Sequence, residues 1–206
     1  MSQNQLATST FDLLARVRAG DESAFTLLFH KYSSRLAVLI RYKLSEEMRA
    51  RVEVDDILQE TFLAASRSLS DFTYRNPGSF MNWLARIADH VIIDTARYQQ
   101  RQKRQPDAGV TSDTDSHIRN LEPRDSVTPS RIFARKERIQ QVIALLDSLP
   151  EDYRTVILLA KVEGKSTQEI ADRLNRSREA VAVLLHRATQ RLKELKESGD
   201  RHEQGS

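Results

Sequence analysis

A stretch poor in large apolar side chains interrupts the hydrophobic pattern of this chain and splits its 206 residues into two parts. Apolar residues recur at helical spacing from about residue 11 to residue 98 and again from about 132 to 195. The stretch between them, residues 99–130, carries three of the five prolines and buries too little apolar surface to order itself. The pattern therefore predicts two small domains, a flexible linker and a disordered tail. The two domains cover residues 1–100 and 130–196, the linker covers residues 101–129, and the tail covers residues 197–206.

Both parts carry helix signals, and neither carries a strand signal. Helices are expected over residues 11–19, 21–43, 54–69 and 79 to about 100, with a loop over 71–78. In the second part, Pro129 stands where a first helical residue is tolerated, with Thr128 as its cap, and this helix is expected to reach about residue 149. Pro150 and Gly164 delimit the helix after it. The predicted fold class is all-α.

The second part also contains a short helix, a tight turn and a long helix. Ser166 and Glu169 form a Ser-x-x-Glu capping box for a helix over residues 167–174. Asn175 tolerates the left-handed turn that follows, and Ser177 can cap the last helix. This is the helix-turn-helix arrangement, in which the second helix enters the major groove of DNA.

The charge distribution favours DNA binding at this motif. The whole chain has a net charge of only +3. Between residues 173 and 196, however, seven Lys or Arg stand against two Glu, a local net charge of +5 that is typical of a phosphate-binding surface. The alternative is a two-helix packing motif with solvated arginines. The candidates for duplex contact are Arg176, Ser177, Arg178, Glu179, Ala182, His186, Arg187 and Arg191.

The helix that begins near residue 54 has one acidic face. Asp56, Gln59 and Glu60 fall at i, i+3 and i+4, and Asp55 widens the acidic edge. The apolar stripe behind this face consists of Leu58, Phe62, Ala65 and Leu69. Plain solvation would account for such a face on an isolated helix.

On the next helix, the core stripe is expected to be Phe80, Leu84, Ile87 and Val91. A different, mostly polar face carries Asn82, Arg86, Asp89, Ile93 and Arg97.

Three segments resemble the sigma-70 family of bacterial RNA polymerase sigma factors. Residues 149–195, LPEDYRTVILLAKVEGKSTQEIADRLNRSREAVAVLLHRATQRLKEL, resemble region 4, which reads the minus-thirty-five promoter element. Residues 54–69, VDDILQETFLAASRSL, resemble region 2.2, which docks on the clamp helices of the largest polymerase subunit. Residues 79–104, SFMNWLARIADHVIIDTARYQQRQKR, resemble regions 2.3 to 2.4, which hold the minus-ten element as a single strand. The short two-domain layout is similar to that of extracytoplasmic-function sigma factors.

The resemblance assigns roles to residues of the first part. It implies that Asp55, Asp56, Gln59 and Glu60 bind polymerase. Strand contact is expected from Asp71, Phe72, Tyr74, Arg75 and Asn76 in the loop and from Asn82, Trp83, Arg86 and Arg97 on the helix. Aromatic and arginine planes can hold unpaired bases at about 1–3 kcal/mol per base. Trp83 is compatible with this use or with a place in the core.

The sequence departs from the family pattern in the last helices. Family members often carry Gly before the turn, and Lys and Arg within the recognition helix, where this chain has Asn175, Ala182 and Leu184. The two lost positive charges predict that promoter choice depends mainly on the minus-ten element. Binding to duplex DNA alone is expected to be weak and strongly salt-dependent.

Composition argues against most other functions. The chain contains no cysteine, its five histidines lack ligand spacing, and its six glycines form no phosphate-cradling loop, so neither a metal, a cofactor nor an enzymatic activity is expected. The chain has neither a secretion signal nor a membrane-length apolar run, and a cytoplasmic monomer is expected. Core RNA polymerase, promoter DNA and an anti-sigma protein are the implied partners.

Two other functions remain open. One is a helix-turn-helix regulator that binds a symmetric operator as a dimer without polymerase. The other is a sigma-like adaptor that occupies polymerase without starting transcription, and the residues at Ala182 and Leu184 are its best support.

Overall fold

A computed structural model of the chain describes residues 9–104 and 129–203, which belong to two compact units. We call residues 9–104 the N-terminal unit and residues 129–203 the C-terminal unit. The described residues form nine α-helices and contain no β-strand. The predicted all-α class with two helical domains is therefore confirmed. Most of the expected linker, the expected cap Thr128 and the last residues of the expected tail lie outside the described residues.

The N-terminal unit consists of five helices. They are α1 (Thr10–Arg18), α2 (Glu22–Lys43), α3 (Glu46–Arg49), α4 (Val54–Ser68) and α5 (Ser79–Arg104), with a 3-10 turn at Leu69–Asp71 after α4. The helix α3 was not predicted, because four residues are too few to show an apolar period. The helix α5 continues four residues beyond the expected end of the first domain at residue 100.

Polar side chains fix where α1 and α2 begin. Ser9 caps α1 in a capping box with Asp12. Asp21 caps α2, where its carboxylate accepts hydrogen bonds from the backbone N–H groups of Ser23 and Ala24. The hydroxyl of Ser23 and the guanidinium of Arg16 also donate to this carboxylate. These hydrogen bonds, Ser23 first, lower the pKa of Asp21 to about 2.

The core of the N-terminal unit lies around α2, which packs against α1, α4 and α5. The predicted stripe Leu58, Phe62, Ala65 and Leu69 is confirmed as buried, although Leu69 stands in the 3-10 turn after α4. On α5 the prediction was only half right. Phe80 and Leu84 are buried, but Ile87 and Val91 are only half-buried. The other buried positions of α5 are Met81, Ala85, Ala88 and Ile92. The buried face is thus rotated toward two alanines, whose small side chains add little to an apolar pattern but allow close helix packing.

The C-terminal unit consists of four helices, with α9 packed against the other three. They are α6 (Pro129–Asp147), α7 (Glu151–Ile157), α8 (Thr167–Leu174) and α9 (Arg178–Glu203). A π-helical turn, Leu158–Val162, continues α7, so the predicted single helix between Pro150 and Gly164 changes its winding midway. The helix α9 extends to residue 203, beyond the expected end of the second domain at residue 196.

Candidate functional site

The N-terminus of α4 presents the acidic edge that the sequence predicted. Asp56 is exposed, whereas Asp55, Gln59 and Glu60 are half-buried. The cap residue Glu53 makes no side-chain cap hydrogen bond, and Asp55 and Asp56 lie in the first turn, whose backbone N–H groups lack helical partners. The helix dipole favours negative charge at this end. Because the opposite face of α4 is buried, the acidic edge stays directed outward.

The loop before α5 is held by short-range hydrogen bonds. The side-chain oxygen of Asn76 accepts from the N–H of Gly78 at 3.0 Å. The hydroxyl of Ser79 accepts from the N–H of Arg75 at 3.2 Å and donates to the carbonyl of Asn76 at 2.7 Å. The side chains of Arg75 and Asp71 are exposed beside this turn. Asn76 therefore shapes the loop as well as lying on its surface.

An aromatic cluster lies under this loop and includes Phe72. The ring centroid of Phe72 lies 5.4 Å from that of Phe80 and 4.9 Å from that of Trp83. Phe72 is only 6% exposed, so its ring packs in the core of this unit. The reason is tertiary, since the neighbouring rings of α5 bury it. Trp83 packs on the same cluster and is half-buried, which favours its place at the edge of the core.

The polar face of α5 carries two exposed arginines, Arg86 and Arg97. Arg97 lies 3.8 Å from Asp94, and Asp89 forms a 2.7 Å ion pair with Lys43 of α2. The side-chain oxygen of Asn82 is buried and has no hydrogen-bond partner among the described residues. Leaving such an acceptor unpaired costs about 1–3 kcal/mol.

The helix-turn-helix is formed by α8 and α9, as the sequence predicted. Ser166 and Glu169 make the expected capping box. The hydrogen bonds from the hydroxyl and then the backbone N–H of Ser166 lower the pKa of Glu169. Asn175 adopts the left-handed conformation, with φ 50° and ψ 48°. The hydroxyl of Ser177 accepts from the N–H of Ala180 at 3.1 Å and so caps α9.

All eight residues that the sequence nominated for duplex contact are exposed. Three of them also have roles within the unit. Ser177 is the cap, Arg176 lies 2.8 Å from the carboxylate of Asp152 at the start of α7, and Arg191 lies 3.0 Å from that of Glu194. The Arg176 ion pair fastens the turn of the helix-turn-helix to α7. It also occupies a guanidinium that was expected to meet a phosphate.

The sequence pattern did not single out Val183 and Phe11 as exposed apolar residues. Val183 is 50% exposed on α9, because Val181 and Ala188 define a buried face on the opposite side. Phe11 is exposed on α1 and its ring contacts that of Tyr74. Apolar residues in a periodic helix are first assigned to the core. The signal that finds Val183 is the spacing of the buried positions of α9, which leaves residue 183 out of register.

Two further features bear on the kind of site. Among residues 9–104 and 129–203, no group of three or more acidic or histidine side chains is placed to hold a metal ion. Within these two units, every helix is too short or too polar to span a bilayer.

Comparison with known proteins matches both units to family models. The model described as Sigma-70 region 2 matches residues 28–102, and the model described as Sigma-70, region 4 matches residues 139–192. The ECF RNA polymerase sigma-E factor of Haemophilus influenzae is 33% identical over 78% of this chain and 80% of that protein. The RNA polymerase sigma-H factor of Pseudomonas aeruginosa is 34% identical over 82% of this chain and 90% of that protein.

Among solved structures, the chain is similar to CnrH in its complex with the cytosolic domain of CnrY. The sequence identity is 25%, the TM-score is 0.40, and the match covers 90% of this chain and 96% of that one.

Proposed function

The chain belongs to the sigma-70 family, among the ECF RNA polymerase sigma factors, and we propose that it binds core RNA polymerase and directs promoter recognition, melting and transcription initiation. The observation that carries this proposal is that one chain holds two matched units, one with an acidic docking edge and one with a basic helix-turn-helix. The protein acts in the cytoplasm by binding energy, without catalysing a reaction. An anti-sigma partner, which family membership implies, and a monomeric free state stay predictions.

The acidic edge of α4 is the proposed docking surface for polymerase. Asp55, Asp56, Gln59 and Glu60 share one side of the helix, and a basic partner would neutralise their charge. The surface is rigid because Leu58 and Phe62 anchor the other side of α4 in the core. Little conformational entropy is lost on binding when the contact residues stand on a packed helix.

The loop before α5 and the exposed face of α5 form the proposed strand-binding surface. Tyr74 offers an aromatic ring, and Arg75, Arg86 and Arg97 offer positive charge. Asn82 lies half-buried on α5 beside them. Asp71 and Asn76 line the same loop. Phe72 and Trp83 belong to the aromatic cluster at this loop, and their contact with the strand stays a prediction. Unstacking a base costs a few kcal/mol, which stacking on protein planes can offset.

The exposed face of α9 is the proposed reader of upstream duplex. Arg178, Glu179, Ala182 and His186 can face base edges, and Arg187 and Arg191 can meet phosphates. Ser177 holds the start of the helix in place. Val183 joins this surface, because an exposed apolar side chain in the major groove can contact a thymine methyl group.

The proposal is tested by adding the purified chain to core polymerase and measuring core binding and promoter-specific run-off transcripts from genomic fragments. The variant Asp56→Ala, Gln59→Ala, Glu60→Ala is expected to lose both core binding and transcripts. Its matched control is Glu22→Ala, Glu46→Ala, which removes two exposed carboxylates elsewhere in the N-terminal unit and should behave like the parent.

Each alternative has its own outcome. Core binding without any promoter-specific transcript would support an adaptor, and operator binding without polymerase would support a dimeric regulator. Equal activity of the α4 variant and the parent would contradict the docking surface. Circular dichroism of both variants checks that the helices remain folded.

A further inference from the structure

Phe11 is the most exposed large apolar side chain among the described residues, at 58%. Its position is set by Thr10, Leu13 and Leu14, the buried residues that anchor α1 in the core beside it. A single exposed apolar residue needs no explanation by itself. The exposure of this ring is relevant to function because the ring lies beside the proposed strand-binding loop.

The helix α1 touches that loop at two points. The ring centroid of Phe11 lies 5.6 Å from that of Tyr74, with an angle of 60° between the ring planes. Seven residues later, Arg18 donates a hydrogen bond to the backbone carbonyl of Phe72. Seven residues of α-helix span roughly 10 Å, so α1 runs beside the loop over about two turns and fixes its position.

The two rings form an open aromatic wedge rather than a closed stack. At an angle of 60° the rings do not cover one another face to face, and the exposure of Phe11 leaves ring surface accessible. Arg75, next to Tyr74, supplies an exposed positive charge. The nearest carboxylate on α1, that of Asp12, is engaged by the hydroxyl of Ser9 at 2.6 Å in the helix cap. The wedge therefore combines a π surface with a nearby cation, as single-strand binding sites do.

We propose that Phe11 belongs to the strand-binding site and stacks on one unpaired base of the melted promoter, next to Tyr74. The proposal rests on the proposed sigma function and adds α1 to the surface that the loop and α5 provide. It makes Phe11 a direct contact, and it makes Arg18 a positioning residue that holds the loop at the correct distance from the ring.

The test uses holoenzyme assembled from the full chain and core polymerase, with forked promoter DNA that is unpaired across the minus-ten element. Each base of the unpaired strand is replaced in turn by an abasic site, and the dissociation constant is measured for the parent, Phe11→Leu and Phe11→Trp. Leucine keeps an apolar contact with Tyr74 but has no ring to stack on a base, whereas tryptophan keeps a stacking plane.

For the parent, one abasic position is expected to weaken binding by about 5- to 150-fold, the range of a lost base stack. Phe11→Leu should weaken binding of intact DNA by a similar factor. In this variant, the abasic site at that one position should cause no further loss of affinity. Phe11→Trp should behave like the parent. Leu27→Ala, which alters an exposed leucine of α2, is the matched control and should change nothing.

The proposal is overturned if Phe11→Leu binds intact DNA like the parent. It is also overturned if Phe11→Leu and every abasic site act additively, since that result assigns Phe11 a structural role only. Failure of the sigma function gives a different result, in which the parent chain does not increase the affinity of core polymerase for forked DNA at all.

Discussion

The ion pair between Arg176 and Asp152 leads to a sharp prediction about DNA affinity. The guanidinium and carboxylate lie 2.8 Å apart, with side chains 41% and 63% exposed. Arg176 stands in the turn before α9, where a guanidinium can meet a phosphate. A phosphate that takes the Nη2 donors of Arg176 has to displace Asp152. We therefore expect Asp152→Asn to raise the affinity of the chain for upstream promoter duplex.

The size of this gain follows from the exposure of the pair. Exposed ion pairs of this kind contribute about 0.2–1 kcal/mol. If Arg176 no longer has to break the pair, binding should tighten by about 1.4- to 5-fold. Arg176→Ala should weaken binding and lower the slope of log affinity against log salt by about 0.9, the value for one phosphate contact.

The assay is fluorescence anisotropy of a labelled upstream duplex with the full chain at several low salt concentrations. Removing any carboxylate near DNA raises affinity, so Asp152→Asn is also measured in the Arg176→Ala background. The Arg176→Ala background has no ion pair to remove, so the part of the affinity gain that depends on the ion pair must be absent in it. If Asp152→Asn tightens binding by the same factor in both backgrounds, the ion pair does not restrain Arg176.

Three further predictions concern the caps and the recognition helix. Asn175→Ala should cost about 1–2 kcal/mol of unfolding free energy in the C-terminal unit, because its φ of 50° is left-handed, while Asn175→Gly should cost nothing; chemical denaturation measures both. Asp21 has a pKa lowered to about 2, so its contribution to stability is complete above its ordinary value of 3.8 and is lost as pH falls toward 2. Thermal melts of the chain should therefore fall less steeply across that window for Asp21→Asn than for the parent, and identical slopes would contradict the cap assignment. Val183→Asp should weaken upstream duplex binding about fivefold or more, since an unpaired carboxylate in the groove costs at least about 1 kcal/mol. The control Val142→Asp, on α6, should not weaken binding. Equal effects of the two variants in fluorescence anisotropy would show that Val183 is not part of the duplex-binding surface.

The local features of the fold could be predicted because the groups that cause them are close in sequence. Ser166 meets Glu169 three residues away, and Ser177 meets the N–H of Ala180 at the same spacing. Asn175 needs only its own backbone preference to form the turn. The exposure of the duplex-contact residues followed in the same way, from the helical period of α9.

The features that the sequence did not reveal depend on contacts between distant elements. The burial of Phe72 requires the rings of Phe80 and Trp83 from α5. The buried face of α5 is rotated because α2 and α4 pack against the side of α5 that carries its alanines. The meeting of Phe11 and Tyr74 joins residues 63 positions apart, and no local pattern encodes such a pair.

Permanganate footprinting shows whether this chain makes core polymerase melt promoters. Permanganate oxidises thymines that are unstacked, so it reports melted DNA at single-base resolution. On a promoter found by run-off transcription, thymines around the minus-ten element should react only when both the chain and core polymerase are present. No reactive thymine under any condition, or protection of a symmetric duplex site by the chain without polymerase, would contradict the proposed function.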